Sequence, residues 1–208
     1  MERGMALLSG GIDSPVAIHL LKDRLDIIAI HFHQEPLTDK KEVEKVRQLV
    51  RKLELKKAYL VPFTEVLKTL VEKCTHRNYF VLSKIMMLKA AEIVAEKEHA
   101  KYLITGENLA QVSSQTLSNL RTITKHVSLE IFRPVLAKNK QEIIDMAKEI
   151  GTYDISKGPE ICNLLGPATP ATKSDPQEIG EELEKLDIAA LLDTALNKAE
   201  ILIEKYVV

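Results

Sequence analysis

The sequence lacks the features of a secreted or membrane protein. It contains two cysteines, Cys74 and Cys162, which form neither a C-x-x-C pair nor a disulfide framework. No apolar run approaches the ~20 residues needed to cross a bilayer, and the apolar stretch that follows Met1 is too short for a secretory signal. We therefore expect a reducing, cytoplasmic location and no membrane partner.

A strong net charge is also missing, although charge is unevenly distributed. The 208 residues are 45% hydrophobic and 28% charged, with a net charge of −1, which is typical of a globular chain with one substantial core. Residues 39–57 carry eight Lys/Arg against four Asp/Glu, whereas residues 175–208 carry three against nine. The basic segment could face an anionic partner, but a solvated amphipathic helix is the simpler interpretation.

The segment LLSGGIDSPVA, residues 7–17, is the most informative part of the chain. The apolar run at 4–8 is followed within two residues by two glycines, which is typical of a buried strand and a turn. A short helix is expected to follow, with Asp13 or Ser14 as its N-cap and Pro15 at its first position. A strand, a glycine turn and a helix start present backbone N–H groups to one point, which predicts an anion site, most often for phosphate.

Two familiar phosphate loops do not fit this segment. The G-x-x-x-x-G-K-[ST] loop needs a Lys after its last Gly, and the dinucleotide fingerprint needs three spaced glycines. An ordinary strand–helix turn with two glycines, without a ligand, is the alternative, but five specified positions within six residues favour the phosphate site. The string Ser-Gly-Gly-x-Asp-Ser resembles the PP-loop of the ATP pyrophosphatases, which split ATP between its α- and β-phosphates.

Strands alternate with helices along most of the chain. Strands are predicted near residues 4–8, 26–32, 58–61, 102–106 and 130–133, and helices near 14–21, 43–55, 66–71, 80–98, 113–126 and 141–150. This order predicts an α/β fold, a Rossmann-like parallel sheet of about five strands with helices on both faces. Residues 151–175 are expected to form a long loop. One or two acidic amphipathic helices follow, which divides the chain into a nucleotide-binding domain, 1–175, and an acidic helical appendage, 176–208.

The chemically interesting side chains follow the ends of these strands. The first strand leads into the glycine loop, the second ends in His31-Phe32-His33, and the fourth ends in Gly106-Glu107-Asn108. In an open parallel sheet, ligands bind beyond the carboxyl ends of the strands, at the point where the strand order reverses. We therefore expect these three strand ends to meet at one site.

Several segments together resemble one family, the PP-loop domain of the ThiI tRNA 4-thiouridine sulfurtransferases. They are LLSGGIDSPVA, HFHQEPLTDKKEVEKV, LSKIMMLKAA, ITGENLAQVSSQTLSNLR, RPVLAKNKQEI and PEICNLLGPATPAT. The fourth is the most distinctive, because Thr-Gly-Glu followed by Gln-Val-x-Ser-Gln-Thr-Leu-x-Asn-Leu is hardly a generic connection. The resemblance covers roughly residues 4–175, in the family's order.

The resemblance implies that ATP binds at the carboxyl edge of the sheet, accompanied by Mg²⁺. The implied ATP-binding residues are Leu7 and Leu8 beneath the nucleotide; Ser9, Gly10, Gly11, Asp13 and Ser14 around the pyrophosphate; His31 and Phe32 at the adenine, mainly through backbone; and Lys84, Gly106 and Gln115. The implied catalytic residues are Asp13, Lys140 and Cys162. Asp13 is expected to position Mg²⁺ and phosphate, since polyphosphate needs a counter-cation, and no further metal site is expected.

The sequence departs from the family in several places. Lys84 stands where the family usually has Arg, which keeps the charge but loses the bidentate fork. Ile85 replaces a second Arg, and Asn139 replaces the Asp before Lys140. The family's RNA-binding region, which includes a THUMP domain, would precede the loop, but here the loop begins at Leu7. A rhodanese domain ends some members, and none is expected here. We therefore expect tRNA binding and sulfur delivery to come from elsewhere, or the substrate to differ.

Four residues have competing interpretations. The His31-x-His33 pair could suggest a metal, but no third ligand is evident and the adenine pocket is the better interpretation. Cys74 matches nothing in the family and is expected to be structural. Cys162 lies near Pro159 in an irregular segment and matches the family's cysteine, so we expect a functional thiolate rather than an incidental loop cysteine.

The activity that the resemblance implies is an ATP-dependent sulfurtransferase acting on a carbonyl oxygen, with conversion of tRNA uridine to 4-thiouridine as the expected reaction. Adenylation would turn a poor leaving group into AMP, and the sulfur of a persulfide would then attack the activated carbon. A cysteine desulfurase or another persulfide carrier would supply the sulfur, and a homo-oligomer is possible. The alternatives are an amidating PP-loop ligase that uses ammonia and a non-catalytic module that senses ATP or AMP.

RNA binding by this chain is expected to be weak or to depend on a partner or on self-association. Specific grip on a polyanion normally needs several Lys/Arg–phosphate contacts, whereas the net charge is −1 and the C-terminal part is acidic. The sequence therefore predicts poor tRNA binding at physiological salt, improved by a partner or by self-association, with residues 39–57 as one candidate surface.

Overall fold

The fold is a six-stranded sheet between two layers of helices. The computed structural model describes residues 1–109, 111–158 and 164–204. The strands are β1 (Glu2–Leu7), β2 (Leu25–His33), β3 (Lys57–Pro62), β4 (Tyr102–Ile104), β5 (Glu130–Phe132) and β6 (Glu200–Ile203). Their order is β5-β4-β1-β2-β3-β6, with the first five parallel and β6 antiparallel to β3. The predicted Rossmann-like parallel sheet is confirmed, and its strand order reverses between β1 and β4.

Helices cover both faces, as the alternation of strands and helices predicts. They are α1 (Asp13–His19), α2 (Lys41–Lys52), α3 (Thr64–Lys73), α4 (Tyr79–Lys97), α5 (Leu117–Lys125), α6 (Lys140–Glu149), α7 (Tyr153–Ser156), α8 (Pro176–Glu184) and α9 (Ile188–Asn197). One core lies between the sheet and α3, α4, α5, α8 and α9, and the other between the sheet and α1, α2 and α6. Successive residues of β1 divide between them, since Met5 belongs to the first core and Ala6 to the second.

The last described residues form a strand, which corrects the predicted helix. Residues 200–203 form β6 and pair with Lys57–Leu60 of β3. Two ion pairs help to hold this segment, Arg47–Glu200 at 2.6 Å and Arg51–Glu204 at 3.3 Å, both to α2. An edge strand such as β3 leaves its backbone groups unpaired, and β6 satisfies them.

Two further segments differ from the sequence-based prediction. The expected helix over 113–126 is a 3₁₀ turn at Ser113–Gln115 followed by α5, because the Thr116 side chain caps α5 by accepting from the Asn119 N–H. The expected loop over 151–175 contains the single turn of α7. The division of the chain at residue 175 stays a prediction, and α8 and α9 pack into the same core as α3 and α4.

No helix in residues 1–109, 111–158 and 164–204 is long and apolar enough to span a bilayer.

Candidate functional site

The glycine loop leaves β1 at the point where the strand order reverses, and two serines hold its shape. The Ser14 hydroxyl accepts from the Ser9 N–H at 2.9 Å and lies 3.0 Å from the Ser9 hydroxyl. The Ser9 hydroxyl in turn accepts from the Gly11 N–H at 3.2 Å. Because the Ser14 hydroxyl closes the loop in this way, it does not cap the helix.

The predicted helix start is therefore wrong by one or two residues. Ile12 is the N-cap of α1 and Asp13 is its first residue, which places Pro15 at the third position. Proline is tolerated there because the first turn of a helix leaves its N–H groups without intrahelical acceptors.

The end of β4 packs directly against this loop through Gly106. A Cβ built on Gly106 would lie 2.5 Å from the Ser14 backbone N and 2.6 Å from the Ser14 Cα. Both neighbours are backbone atoms at the start of α1, so they cannot move aside as a side chain could. Close approach of two backbones is one of the reasons that a chain needs glycine, and here it joins two of the three strand ends that we expected to meet.

Two of the predicted catalytic residues are in contact. The Lys140 ammonium lies 3.1 and 3.3 Å from the two carboxylate oxygens of Asp13. Lys140 is the first residue of α6, and Asn139 caps that helix by accepting from the Glu142 N–H at 2.9 Å. Asn139, which replaces the family's Asp, therefore still provides a helix cap and sets the position of Lys140.

A buried carboxylate next to the glycine loop, that of Glu107, was not among the site residues predicted from the sequence. Glu107 is 1% exposed, and its Oε2 accepts from Arg133 Nε at 2.7 Å and from the Thr105 hydroxyl at 3.0 Å. Its Oε1 lies 3.8 Å from the Lys84 ammonium. Burial of a carboxylate is tolerated only with such partners, so Glu107 positions Lys84. The Thr-Gly-Glu string was the available signal, but the role of its Glu depends on two residues distant in sequence.

The second strand contributes a buried histidine. His31 is 3% exposed, and its Nδ1 donates to the Leu8 carbonyl at 2.9 Å. The Phe32 ring packs at 4.6 Å between centroids against Phe63. The side chain of Leu8 is buried in the core with α1, and Leu7 is partly buried in the other core. These side chains therefore serve packing, which leaves mainly backbone groups of β2 to face a ligand.

The remaining predicted residues are His33 and Gln115, which follows the end of β4. The His33 ring lies 6.5 Å from the His31 ring, between centroids. Among the residues that the structure describes, no group of three or more His, Cys, Asp or Glu could hold a metal ion. Gln115 accepts from the Asn108 N–H at 3.3 Å through its side-chain oxygen. The Asn108 side chain donates to the carbonyls of Val135 and Lys138, so it ties the β4 exit to the segment before α6.

The stability of the folded protein is expected to decrease as the pH is lowered, because of His31. Desolvation by complete burial lowers the pKa of His31 from 6.5 to about 4, so the unfolded chain binds the proton more readily. The stabilising contribution is present above pH 6.5 and is lost towards pH 4. We expect the free energy of unfolding to drop by about 2 kcal/mol between pH 7 and pH 5 from this group.

Denaturant unfolding at several pH values would measure that drop, with NMR titration of the histidine rings alongside. His33 and His126, whose pKa values are also lowered by desolvation, add in the same direction. A His31 ring that protonates near pH 6.5 in the folded protein would contradict this prediction.

The two cysteines differ in what can be said of them. Cys162 lies outside the described residues, so its role stays a prediction. On one side, Ser156 donates to the Gly11 carbonyl of the glycine loop at 3.1 Å, and on the other the Leu165 carbonyl lies 2.7 Å from His76 Nε2, just before α4. The Cys74 thiol donates to the Glu182 carbonyl at 3.6 Å, and desolvation raises its pKa to about 11.

Comparison with known proteins identifies the family. The family model described as "Thiamine biosynthesis protein (ThiI)" matches residues 1–188. Probable tRNA sulfurtransferases of Brevibacillus brevis and Moorella thermoacetica are each 40% identical to the chain, over 95% and 96% of its length. The chain spans about half the length of these curated relatives, 51% and 53%.

Solved structures agree with this assignment. A 4-thiouridine synthetase in complex with RNA and bound ATP superposes on 98% of the chain with a TM-score of 0.91 and 34% identity, and the match spans 55% of that protein. The NMN synthetase of Francisella tularensis, at 17% identity and a TM-score of 0.60, shares the fold alone. The chain therefore belongs to the ThiI family, as its sequence-based resemblance predicted, and the match covers the PP-loop domain.

Proposed function

We propose that the chain is the ATP-using part of a tRNA sulfurtransferase that converts a uridine carbonyl to a thiocarbonyl through an adenylated intermediate. The observation that carries this proposal is the Asp13–Lys140 pair at the mouth of the SGGIDS loop. This pair stands in a chain that resembles a 4-thiouridine synthetase over nearly its whole length. An acid and a base that meet beside a phosphate loop suit nucleotidyl transfer.

The geometry supports distinct roles around the nucleotide. Gly10 and the start of α1 would present N–H groups to the phosphates. The Gly11 N–H donates to the Ser9 hydroxyl, and with Ser14 this bond holds the loop in shape around the pyrophosphate. His31 and Phe32 would border the adenine through backbone, above Leu7 and Leu8. Gly106 and Gln115 would close the site from β4, and Lys84 would bring a positive charge that Glu107 orients.

The donor set fits Mg²⁺ brought in with ATP. Mg²⁺ is usually held by one or two carboxylates together with phosphate oxygens, rather than by a cage of protein ligands. Asp13 is the carboxylate at the loop, and its side chain is 20% exposed, so ligands can reach it. When bound, the ion would neutralise charge on the departing pyrophosphate. Lys140 would exchange its Asp13 contact for phosphate oxygens.

The proposed reaction has two displacements. The uridine carbonyl oxygen attacks the α-phosphorus, and pyrophosphate leaves into the loop. The terminal sulfur of a persulfide then attacks the activated carbon and AMP leaves. The Cys162 thiolate attacks the sulfur of the donor cysteine, which completes the thiocarbonyl and leaves a disulfide between Cys162 and the donor. A thiol reductant resets that disulfide before the next cycle.

The two cysteines provide a matched pair of variants. Cys162→Ser is expected to retain ATP binding but to lose at least about 10²-fold of sulfur-dependent product, because serine cannot attack the disulfide between the donor cysteine and the substrate. Cys74→Ser is expected to retain both, with at most a loss of stability, because the Cys74 thiol stays protonated at neutral pH. Product analysis with a cysteine desulfurase and cysteine, with mass spectrometry of alkylated protein, measures both. Wild-type product formation by Cys162→Ser would exclude Cys162 as the transfer residue.

The same assay tests the function as a whole. Calorimetry with Mg·ATP should show binding by the wild-type chain, and AMP should form only when uridine-containing tRNA and a sulfur donor are both present. AMP formation with ammonia in place of the donor would favour the amidating ligase, and binding without pyrophosphate release would favour a sensing module. No binding at millimolar nucleotide would exclude the proposed function.

A further inference from the structure

A cavity lined by several charged and hydroxyl side chains lies beside α5, separate from the nucleotide loop. It has a volume of about 600 Å³ and opens between α5 and the segment 173–177. Its lining includes Arg121, Lys125 and Lys173, together with hydroxyl side chains of Ser118, Thr122 and Ser174. We call this cavity the α5 groove.

The three cations of the α5 groove are unpaired. Arg121, Lys125 and Lys173 are exposed, and none has a hydrogen bond or an ion pair to any residue that the structure describes. The carboxylate in the lining, Asp175, already accepts from the Gln177 N–H at 2.9 Å as the cap of α8. Three positive charges face one negative charge, which leaves a net attraction for an anion.

The candidate basic surface of the sequence analysis is different. Within residues 39–57, Arg47 and Arg51 are paired with Glu200 and Glu204 of the β6 segment, and Lys41 with Asp39. Neutralised cations offer less to a phosphate backbone. The β6 segment therefore neutralises Arg47 and Arg51 of this surface, whereas it forms no ion pair with the three cations of the α5 groove among the described residues.

The walls of the α5 groove are held together before any ligand binds. Asn119 is fully buried, and its side chain accepts from the Ser174 N–H at 2.8 Å and donates to the Ala171 carbonyl at 2.8 Å. Thr116 donates to the Thr172 carbonyl at 2.7 Å. Ser174 is 6% exposed, and its hydroxyl has no hydrogen-bond partner among the described residues. A preorganised wall with an unsatisfied hydroxyl indicates a site for a polar ligand.

The position and spacing of the cations favour a polyanion. Arg121 and Lys125 are one helical turn apart on α5, about 6 Å along its axis, so they suit a chain of charges better than a single phosphate. The groove begins within three residues of Gln115, and Gln111 lies 3.5 Å from Lys140. A strand that occupied the α5 groove would lead towards the Asp13–Lys140 pair.

We propose that the α5 groove binds the phosphodiester backbone of the RNA substrate next to the reaction site. The inference rests on the proposed function, because that function supplies the RNA. It also means that this chain itself contacts the RNA, in addition to any RNA binding by a partner.

A charge-matched pair of triple variants tests the proposal. R121Q/K125Q/K173Q removes the groove cations. K22Q/R24Q/K97Q removes one Arg and two Lys that are exposed at the opposite edge of the sheet, where β2 and β4 begin, and that have no ion pair among the described residues. Binding of unmodified tRNA is measured by fluorescence anisotropy from low to physiological salt, and Mg·ATP binding by calorimetry. K173Q alone, outside any helix, guards against a misfolded α5.

The groove variant is expected to bind tRNA about tenfold or more weakly at low salt, and its log–log salt slope should be shallower by about 2. The control should stay within about threefold of the wild type, because distant charges act only through a screened field. Both variants should bind Mg·ATP as the wild type does. K173Q should weaken RNA binding by a smaller factor in the same direction.

Several results would overturn the inference. They are an equal loss in both triple variants, no loss in the groove variant, or no tRNA binding by the wild type at any salt. Saturation of the groove by inorganic phosphate alone, with tRNA binding unaffected by R121Q/K125Q/K173Q, would assign the groove to a small anion instead. Absence of Mg·ATP binding by the wild type would count against the proposed function. Normal Mg·ATP binding without the expected change in tRNA binding would count against the groove alone.

Discussion

Asp13→Ala is expected to lower the rate of pyrophosphate release by about 10²–10³-fold or more, while leaving the protein folded. The substitution removes the carboxylate at the first position of α1 that contacts Lys140 and that would meet Mg·ATP. Stability should change little, because a partly exposed ion pair contributes only about 0–1 kcal/mol. Pyrophosphate release with Mg·ATP, tRNA and a sulfur donor is the measurement, with circular dichroism to follow folding.

The matched control for this substitution is Asp23→Ala. Asp23 lies four residues beyond the end of α1, is exposed, and has no ion pair among the described residues. It should retain wild-type activity. Lys140→Met should resemble Asp13→Ala, and the double variant should be no worse than either single one if the two residues act as a unit. Wild-type turnover by a folded Asp13→Ala protein would remove the pair from the mechanism.

Among substitutions that add a single methyl group at this site, Gly106→Ala is expected to cause the largest loss of stability. The new Cβ would lie 2.5 Å from the Ser14 N and 2.8 Å from the Asp13 carbonyl carbon, so the end of β4 and the start of α1 must separate. Overpacking of this kind costs about 1–3 kcal/mol. Because the displaced residues form the loop, ATP affinity should fall with stability. Denaturant unfolding and calorimetry with Mg·ATP measure the two effects.

Gly180→Ala provides the comparison for the same added methyl group. Gly180 lies inside α8, and the nearest atom to its added Cβ is the His126 Cε1 at 3.8 Å, an ordinary contact. Alanine is favoured over glycine in a helix interior by up to about 1 kcal/mol, so this variant should be as stable as the wild type or more stable. If Gly106→Ala binds ATP and unfolds like Gly180→Ala, the two backbones do not pack as the structure shows.

Much of the fold could be predicted because its signals are local. Each parallel strand contains a short apolar run, and β1 and β4 are soon followed by glycine. The amphipathic spacing of α2 places Val43, Val46, Leu49 and Val50 on one buried face. The prediction failed at β6. The predicted C-terminal helices include residues 200–203, yet the backbone of these residues pairs with β3, about 140 residues earlier in the chain. Tertiary pairing overrides local propensity there.

The sequence by itself determined the family and located the glycine loop, because the spacing of Ser9, Gly10, Gly11, Asp13 and Ser14 is set within one turn of chain. Only the tertiary structure decided which distant groups meet that loop. Lys140 contacts Asp13 across 127 residues, Glu107 joins Arg133 to Lys84, and Lys173 faces α5. The physical reason is that such contacts depend on strand order and on how loops dock. A short sequence pattern records the preferences of neighbours along the chain, whereas these partners become neighbours only when the sheet is assembled.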